Sequence, residues 1–138
     1  MSPPAGVFTL PLTIKPDDID ELGHVNNGIY LRWAQEIATA HWRARATDDL
    51  LARYIWVVTR HEIDYRAELV LGDRIEARTW VAPAPRGAVW TRFVAIYKAG
   101  SDKPAAEIKS DWCLIEAETR RVRRVPKEIP ALFVPSAD

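Results

Sequence analysis

The sequence has a single cysteine, no excess of either charge and no long apolar run. Because Cys113 is alone, an intramolecular disulfide is excluded, and a reducing compartment is the simplest expectation. Nineteen basic residues balance nineteen acidic ones, so no global field draws the chain to nucleic acid or to an anionic membrane. Tyr54–Val58 is an apolar run of strand length, far short of the ~20 residues that cross a bilayer. Met1–Gly6 lacks the charged and apolar regions of a secretory signal. We therefore expect a soluble, cytoplasmic protein with neither a nucleic acid nor a membrane partner.

Metal ligands are also scarce. The three histidines, His24, His41 and His61, do not have the spacing of a zinc site, and the one cysteine offers them no thiolate cluster. We expect no metal and no redox cofactor, with His41 and His61 in structural or exposed positions.

The length and apolar content fit one domain over residues 1–138. The chain is 48% hydrophobic, which is enough for a single core, and it has no internal repeat. Its six tryptophans are many for this length, and we expect some of them to line a pocket or a subunit contact. From about residue 119 the chain is basic and then punctuated by proline, which predicts a loosely packed tail over 119–138.

Hydrophobic spacing predicts one long helix preceded by a strand at 8–14. The helix runs from an N-cap at Asn26 or Asn27 to about Thr47. Its apolar positions recur at spacings of three or four residues, which gives one buried stripe. They are Ile29, Trp33, Ile37, Ala40 and, more loosely, Ala44.

After the helix the period changes to two, and four strands follow with short connections. Strands joined by tight turns form an antiparallel sheet, and a sheet with only one long helix must cover that helix to bury both apolar faces. The fold class is therefore α+β, a five-stranded antiparallel sheet wrapped around one central helix. The four strands are predicted at 54–65, 74–81, 88–98 and 105–116.

The segment Asp18–Tyr30 is the most polar turn region of the chain. It brings two aspartates, an imidazole and two carboxamides to the start of the long helix: Asp18, Asp20, His24, Asn26 and Asn27. Because a helix N-terminus carries unpaired N–H groups and a positive dipole end, it is a suitable place to stabilise a developing negative charge.

These residues resemble the hotdog-fold thioesterases of the 4-hydroxybenzoyl-CoA and acyl-ACP thioesterase kind. The specific motif is Asp18–Asn27 with Tyr30 three residues later. Weaker motifs follow in the expected order at His61–Leu69 with Gly72 and Asp73, at 111–115 and at 124–126. The similarity extends from about residue 8 to residue 126.

The resemblance implies a hotdog fold, hydrolysis of an acyl thioester, and a homodimer or homotetramer with the active site at the subunit interface. The substrate would be an acyl-CoA or, as the alternative, an acyl-carrier-protein thioester, with coenzyme A as part of the substrate and no separate cofactor. Asp20 matches the family's catalytic carboxylate, which attacks the carbonyl or activates water. Its structural alternative is an Asx-turn. Asp18 is expected to shape or orient the loop.

Three further residues have catalytic roles by the same resemblance. Asn27 stands where the family binds the thioester oxygen with a backbone N–H, and its side chain has the alternative of capping the helix. His24 and Glu68 match positions of the acyl-ACP branch, where they would polarise water or assist as a base, with a structural role as the alternative for each. That branch has asparagine where this chain has Leu22, which favours the simpler acyl-CoA type of site.

The expected substrate-binding residues are Asn26, Tyr30 and Trp33, with helix capping and core packing as the alternatives. Glu36 is expected to flank the core. The basic cluster at 120–124 with Lys127 would contact the phosphates of coenzyme A or an acidic carrier protein, or else be solvated.

Two other functions are compatible with the resemblance. Some hotdog proteins are enoyl-CoA hydratases or dehydratases, which use a histidine with an acid. A non-catalytic module that binds acyl thioesters is the other alternative, and Asp20 argues against it.

Overall fold

A computed structural model describes residues 6–133. One long helix packs against a sheet of five strands, and residues 6–133 also contain two short α-helices. In chain order the elements are β1 Phe8–Leu12, a 3-10 turn at Pro16–Asp18, α1 Asn27–Arg45, α2 Asp48–Arg53, β2 Tyr54–Tyr65, β3 Ile75–Val81, β4 Val89–Lys98, β5 Ala106–Glu116 and α3 Pro130–Phe133.

The five strands form one sheet in the order β1-β3-β4-β5-β2, and every pair is antiparallel. This confirms the predicted α+β architecture. Each predicted strand lies within two residues of its observed bounds, because the period-two pattern and the turn residues between strands both mark those ends. The sheet leaves β1 and β2 as its edges.

Helix α1 begins where the sequence predicts. Asn26 is the N-cap, and its side-chain oxygen accepts a hydrogen bond from the Gly28 N–H at 2.9 Å. The face of α1 that meets the sheet is mostly apolar, and Trp33 and Ile37 on it are 1% and 0% exposed. Burying side chains of this size contributes about 1.5–3 kcal/mol each, so the stripe fixes the helix on the sheet. The predicted stripe is wrong at Ala44, which is exposed, and His41 is buried on this face instead.

A β-bulge in β2 changes which of its residues face the helix. The pairing of β2 with β5 shifts between Val58 and Arg60. Before the bulge the more buried residues have even numbers, as in Tyr54 and Trp56. After the bulge they have odd numbers, as in His61 and Ile63. Because successive strand residues point to opposite faces, one extra residue moves the second half of the strand to the other face. The bulge thereby places Tyr65, the last residue of β2, on the helix side.

The predicted loose tail is wrong for residues 125–133, whereas residues 119–124 are exposed. Val125, Ile129 and Phe133 recur every four residues and are buried against Leu50, Tyr54 and Trp90. Their apolar side chains cover the end of the sheet, which outweighs the basic and proline-rich composition that suggested a solvated segment.

The hydrophobic pattern of the sequence also does not predict helix α2. Thr47 caps it by accepting the Leu50 N–H at 3.3 Å, and its six residues are too few for a periodic pattern. The predictions for residues 1–5 and for the end of the tail, 134–138, lie outside the described residues. Within residues 6–133, no helix has both the length and the apolarity to cross a membrane.

Candidate active site

A cleft of about 490 Å³ opens at the N-terminus of α1. It is bounded on one side by the polar loop before the helix and on the other by the segment that follows β2. The cleft contains six of the seven residues that the sequence predicts for the site, since Trp33 alone does not line it. The lining residues are Asp20, Leu22, His24, Val25, Asn26, Asn27, Tyr30, Tyr65, Arg66, Ala67 and Glu68.

Asp18 anchors the loop to the helix, which is the orienting role predicted for it. Its carboxylate is 2% exposed, and its two oxygens accept hydrogen bonds from the Lys15 N–H at 2.9 Å and from Arg32 Nη2 at 3.0 Å. The backbone carbonyl of Asp18 accepts the Asn26 N–H at 2.8 Å. One half-buried ion pair and one backbone bond therefore hold both ends of the loop against α1.

A second tie joins the loop to the segment after β2. The Val25 N–H donates to the Leu69 carbonyl at 2.8 Å, and both side chains are buried in the main core. This bond brings Glu68, the neighbour of Leu69, alongside His24, the neighbour of Val25. The two walls of the cleft are thus fixed to each other by backbone contact and core packing.

The Asp20 carboxylate is held by the turn that it shapes. Its Oδ1 accepts the backbone N–H groups of Leu22 at 2.9 Å and of His24 at 3.2 Å, which is the Asx-turn named as its structural alternative. Within the described residues, Oδ2 has no hydrogen-bond partner. One oxygen orients the carboxylate while the other is free to meet a reactant in the cleft.

The first N–H groups of α1 are satisfied unequally. The Gly28 N–H donates to the Asn26 side chain, and the Ile29 N–H donates to the Asn26 carbonyl at 2.9 Å. Among residues 6–133, the Asn27 N–H has no acceptor, and Asn27 lines the cleft. A helix of 19 residues adds the positive end of its dipole at this point. The Asn27 N–H is therefore a donor in position to receive an oxyanion.

Tyr65 closes the floor of the cleft. Its hydroxyl donates to the Asn27 carbonyl at 3.1 Å, and its ring meets the Tyr30 ring edge-on at 5.3 Å. Burial, with a smaller contribution from Tyr65, raises the pKa of Tyr30 to about 12, so the Tyr30 phenol stays neutral near pH 7. Tyr65 is not among the predicted site residues. In a regular β2 without the bulge, its side chain would point away from the helix.

His24 and Glu68 contact each other across the cleft. The distance between His24 Nε2 and Glu68 Oε2 is 2.8 Å, and both side chains remain accessible, at 36% and 67% exposed. The ring nitrogen that faces Glu68 is therefore the one that carries a proton, since a carboxylate only accepts. This leaves Nδ1 as the acceptor when the imidazole is neutral.

The other predicted residues lie outside the cleft. Trp33 is in the core, where it meets the Tyr30 ring edge-on at 5.3 Å and supports it from below. Glu36 is exposed and forms an ion pair with Arg32 at 3.4 Å, so it flanks the core as expected. In the basic cluster, Arg123 forms an ion pair with Glu116 at 2.9 Å, and the cluster does not line the cleft.

In the part of the chain from residue 6 to residue 133, no group of three His, Cys, Asp or Glu side chains converges on a point where a metal ion would be held. The cleft offers a carboxylate, an imidazole–carboxylate pair and a backbone donor. These are the groups that attack, protonate and stabilise in acyl transfer.

The chain is similar to three known proteins, one in sequence and two in structure. An acyl-[acyl-carrier-protein] hydrolase of Cuphea viscosissima, the chloroplastic FATB3, is 31% identical over 81 residues, which are 59% of this chain and 19% of that protein. The chain therefore spans about a fifth of that relative's length. The PA5185 protein of Pseudomonas aeruginosa PAO1 superposes with a TM-score of 0.81 at 21% identity, covering 91% of this chain and 88% of the other.

A thioesterase of Thermus thermophilus, solved with coenzyme A and zinc, superposes with a TM-score of 0.77 at 24% identity, covering 93% of this chain and 91% of the other. These superpositions confirm the hotdog fold. The model of the thioesterase-like superfamily matches residues 14–133, which include the whole cleft and every strand except β1. This chain belongs to the thioesterase-like superfamily.

Proposed function

We propose that this protein hydrolyses an acyl-CoA thioester to a free acid and coenzyme A. The observation that carries the proposal is that one cleft contains three features: the Asp20 carboxylate, the Asn27 N–H and the His24–Glu68 pair. Among the described residues, neither Asp20 Oδ2 nor the Asn27 N–H has a hydrogen-bond partner. Membership of the thioesterase-like superfamily supports this class of reaction.

In this proposal the thioester carbonyl oxygen binds the Asn27 N–H. The charge that develops on that oxygen in the tetrahedral intermediate is stabilised by this donor and by the N-terminal end of α1. Removing a single donor of this kind typically costs about 10²–10³-fold in rate, so the position of the helix N-terminus contributes strongly to the proposed catalysis.

Asp20 then acts on the carbonyl carbon. Either Oδ2 attacks it, which gives an acyl–enzyme anhydride that water cleaves, or Oδ2 takes a proton from an attacking water. In both routes the thiolate of coenzyme A leaves and the acyl group becomes a carboxylate. Because Oδ1 is held by Leu22 and His24, Oδ2 keeps one direction through the reaction.

His24 and Glu68 assist from the opposite wall. Glu68 holds the His24 ring by Nε2, which leaves Nδ1 to accept a proton from water or to hand one to the leaving group. The partner carboxylate fixes the ring orientation and stabilises the imidazolium that forms. In this proposal Glu68 fixes the orientation of the His24 ring, and His24 Nδ1 is the proton acceptor.

The active assembly in this proposal is a homodimer or homotetramer. Strand β2 is an edge of the sheet with 12 residues, and Val57 and Tyr65 on it are 46% and 47% exposed. Exposed long edges are templates for strand pairing. An antiparallel pairing of two β2 strands about a two-fold axis brings the Tyr65 end of one subunit to the Tyr54 end of the other, so each cleft is completed by its neighbour.

Acyl-CoA is proposed over the acyl-carrier-protein thioester on the basis of Leu22. This residue lies at the rim of the cleft and is 79% exposed, where the acyl-ACP branch of the resemblance has an asparagine. The thioesterase of Thermus thermophilus, which was solved with coenzyme A, supports this choice. The Cuphea relative favours the carrier-protein thioester as the second candidate.

A thiol-release assay distinguishes the candidates. The purified protein is incubated with a panel of acyl-CoA esters, with the matching acyl-carrier-protein esters and with an enoyl-CoA. We expect release of free thiol from acyl-CoA at a higher kcat/KM than from acyl-carrier protein. Hydration of the enoyl-CoA without thiol release would contradict hydrolysis, and binding without turnover of any ester would identify a non-catalytic module.

A further inference from the structure

A second cavity, of about 560 Å³, lies between the C-terminal half of α1 and the sheet. Its size is within the range of about 300–1,000 Å³ that small-molecule pockets have. Of the residues that line it, Thr39 and Arg43 are exposed and mark its mouth, and Trp90 and Arg92 are buried and mark its floor. Six of the thirteen residues that line it are aromatic: Trp42, Tyr54, Trp56, Trp90, Trp112 and Phe133.

Arg92 is a buried charged residue in a cavity that is lined mainly by apolar side chains. It is 8% exposed and stands on the inward face of β4, between Trp90 and Val94. Burial lowers its pKa to about 10, so the guanidinium remains charged at neutral pH. Within residues 6–133 no carboxylate lies within 4.0 Å of it, and no acidic residue lines the cavity. A buried cation without a counterion is strongly unfavourable, which points to an anion that the chain itself does not supply.

The neighbours of Arg92 fix its position without cancelling its charge. Nη1 donates to Thr79 Oγ1 and to His41 Nδ1, each at 2.9 Å. Thr79 in turn donates to the Phe93 carbonyl at 2.7 Å, so its oxygen is the acceptor for Arg92. His41 is neutral because burial and the nearby arginines lower its pKa to about 3. Both partners hold the guanidinium while leaving its remaining N–H groups for another acceptor.

We propose that this cavity binds the carboxylate of an apolar ligand on Arg92, with the body of the ligand between the tryptophan rings. The carboxylate enters first, since the cation is at the floor and the mouth is open. A planar guanidinium recognises a carboxylate through two parallel hydrogen bonds, and Arg43 at the mouth adds a second positive charge.

This inference also names the substrate class of the proposed function, and in that part it rests on it. In the proposed β2-paired dimer, the Tyr65 end of β2, which lines the cleft, would lie beside the Tyr54 end of the other β2, and Tyr54 lines this cavity. The acyl group of the thioester would then enter the cavity of the partner with its far end at Arg92. The preferred substrate is an acyl-CoA whose acyl chain ends in a second carboxylate.

A binding experiment tests the cavity independently of catalysis. Tryptophan fluorescence of the intact protein is titrated with octanoate and with neutral octanamide, which has the same chain. A charge-assisted bond predicts that octanoate binds at least about tenfold more tightly. In Arg92→Met we expect the two affinities to become equal, and in Arg92→Lys we expect part of the preference to remain. Equal affinities in the wild-type protein, a comparison that needs no variant to fold, would overturn the proposal.

A kinetic experiment tests the substrate class. Suberyl-CoA and octanoyl-CoA have acyl chains of the same length and differ by the terminal carboxylate. We expect the wild-type protein to prefer suberyl-CoA in kcat/KM by about tenfold or more, and Arg92→Met to prefer octanoyl-CoA. A wild-type preference for octanoyl-CoA would overturn the substrate class. If neither ester is hydrolysed while octanoate binding still depends on Arg92, the proposed function fails and the binding site stands.

Discussion

The side chains of His24 and Glu68 meet at 2.8 Å between Nε2 and Oε2, although one comes from the loop before α1 and the other from the segment after β2. The contact exists because the backbone bond from Val25 to Leu69 fixes their two neighbours side by side. Both side chains remain accessible to water, so the pair adds little to stability. Its geometry instead orients an imidazole toward the cleft that contains Asp20.

Glu68→Gln is expected to lower kcat/KM for acyl-CoA by about tenfold, because the His24 ring loses the carboxylate that orients it and stabilises its charged form. His24→Gln should cost at least as much, and the double variant should cost no more than His24→Gln alone. Steady-state kinetics of the three variants form the double-mutant cycle. The melting temperature should change by less than ~2 °C, since the pair is exposed.

Glu21→Gln is the matched control for this cycle. Glu21 is an exposed carboxylate of the same loop that does not line the cleft. It should leave the kinetics unchanged. Strictly additive losses from His24→Gln and Glu68→Gln would contradict a role for the pair as a unit.

The cap of α1 supports both the fold and the donor at Asn27. Asn26→Ala removes the acceptor of the Gly28 N–H and should lower the free energy of unfolding by about 0.5–2 kcal/mol. Asn26→Asp keeps an oxygen at that position and adds a charge that the helix N-terminus favours, so it should stay near the parent. Urea denaturation measures both. Equal losses for Ala and Asp would show that the cap is not the cause.

The buried carboxylate of Asp18 makes Arg32 important to stability. Arg32→Met leaves Asp18, at 2% exposed, without its ion-pair partner. Breaking a buried pair costs about 3–5 kcal/mol, and because Arg32 is half exposed we expect the lower value of about 1–3 kcal/mol. Arg43→Met, on the same helix and without an ion pair among the described residues, should change the unfolding free energy by less than ~0.5 kcal/mol. A similar loss in both variants would argue against the anchoring role.

The low pKa of His41 predicts a loss of stability in acid. The pKa is about 3 in the folded protein, against 6.5 for an unperturbed histidine, so the unfolded chain binds more protons between these values. The contribution is therefore complete above pH 6.5 and is lost as the pH falls toward 3. The expected slope is at most ~1.4 kcal/mol per pH unit.

His41→Gln is the test of that assignment, because glutamine retains an acceptor for Arg92 and does not titrate. The free energy of unfolding, measured in urea at about pH 7 and about pH 5, should fall by about 1–2 kcal/mol more in the parent than in the variant. Parallel pH profiles of the two proteins would contradict the assignment to His41.

The sequence predicts the elements well because its local signals agree with one another. Asn26 before an apolar stripe marks the start of α1, and period-two strands between turn residues mark the sheet. Asp20, His24 and Asn27 lie on one loop, so their proximity in the cleft follows from the sequence alone. Glu68 is brought to them by a contact between distant segments, which only the resemblance anticipated.

Two features depend on long-range structure and were not predicted. The bulge in β2 turns Tyr65 toward the helix, and no residue type in that strand identifies the extra position. The sequence pattern does mark Arg92 as unusual, because it is a charged residue at an inward position of a strand whose neighbouring inward residues, Trp90 and Val94, are apolar. Arg92 is a candidate ligand-binding residue because no carboxylate lies near it among the described residues. This depends on tertiary packing and cannot be read from the sequence.

Asp20→Asn, assayed by thiol release from acyl-CoA, tests the central claim most directly. Asparagine keeps an oxygen for the Leu22 and His24 N–H groups, so the loop should retain its shape, while the attacking or basic carboxylate is lost. Asp17→Asn, an exposed carboxylate outside the cleft, is the control and should match the parent. The account predicts that Asp20→Asn lowers kcat by about 10²–10⁴-fold with an unchanged melting temperature. An Asp20→Asn variant that releases thiol as fast as the parent would contradict it.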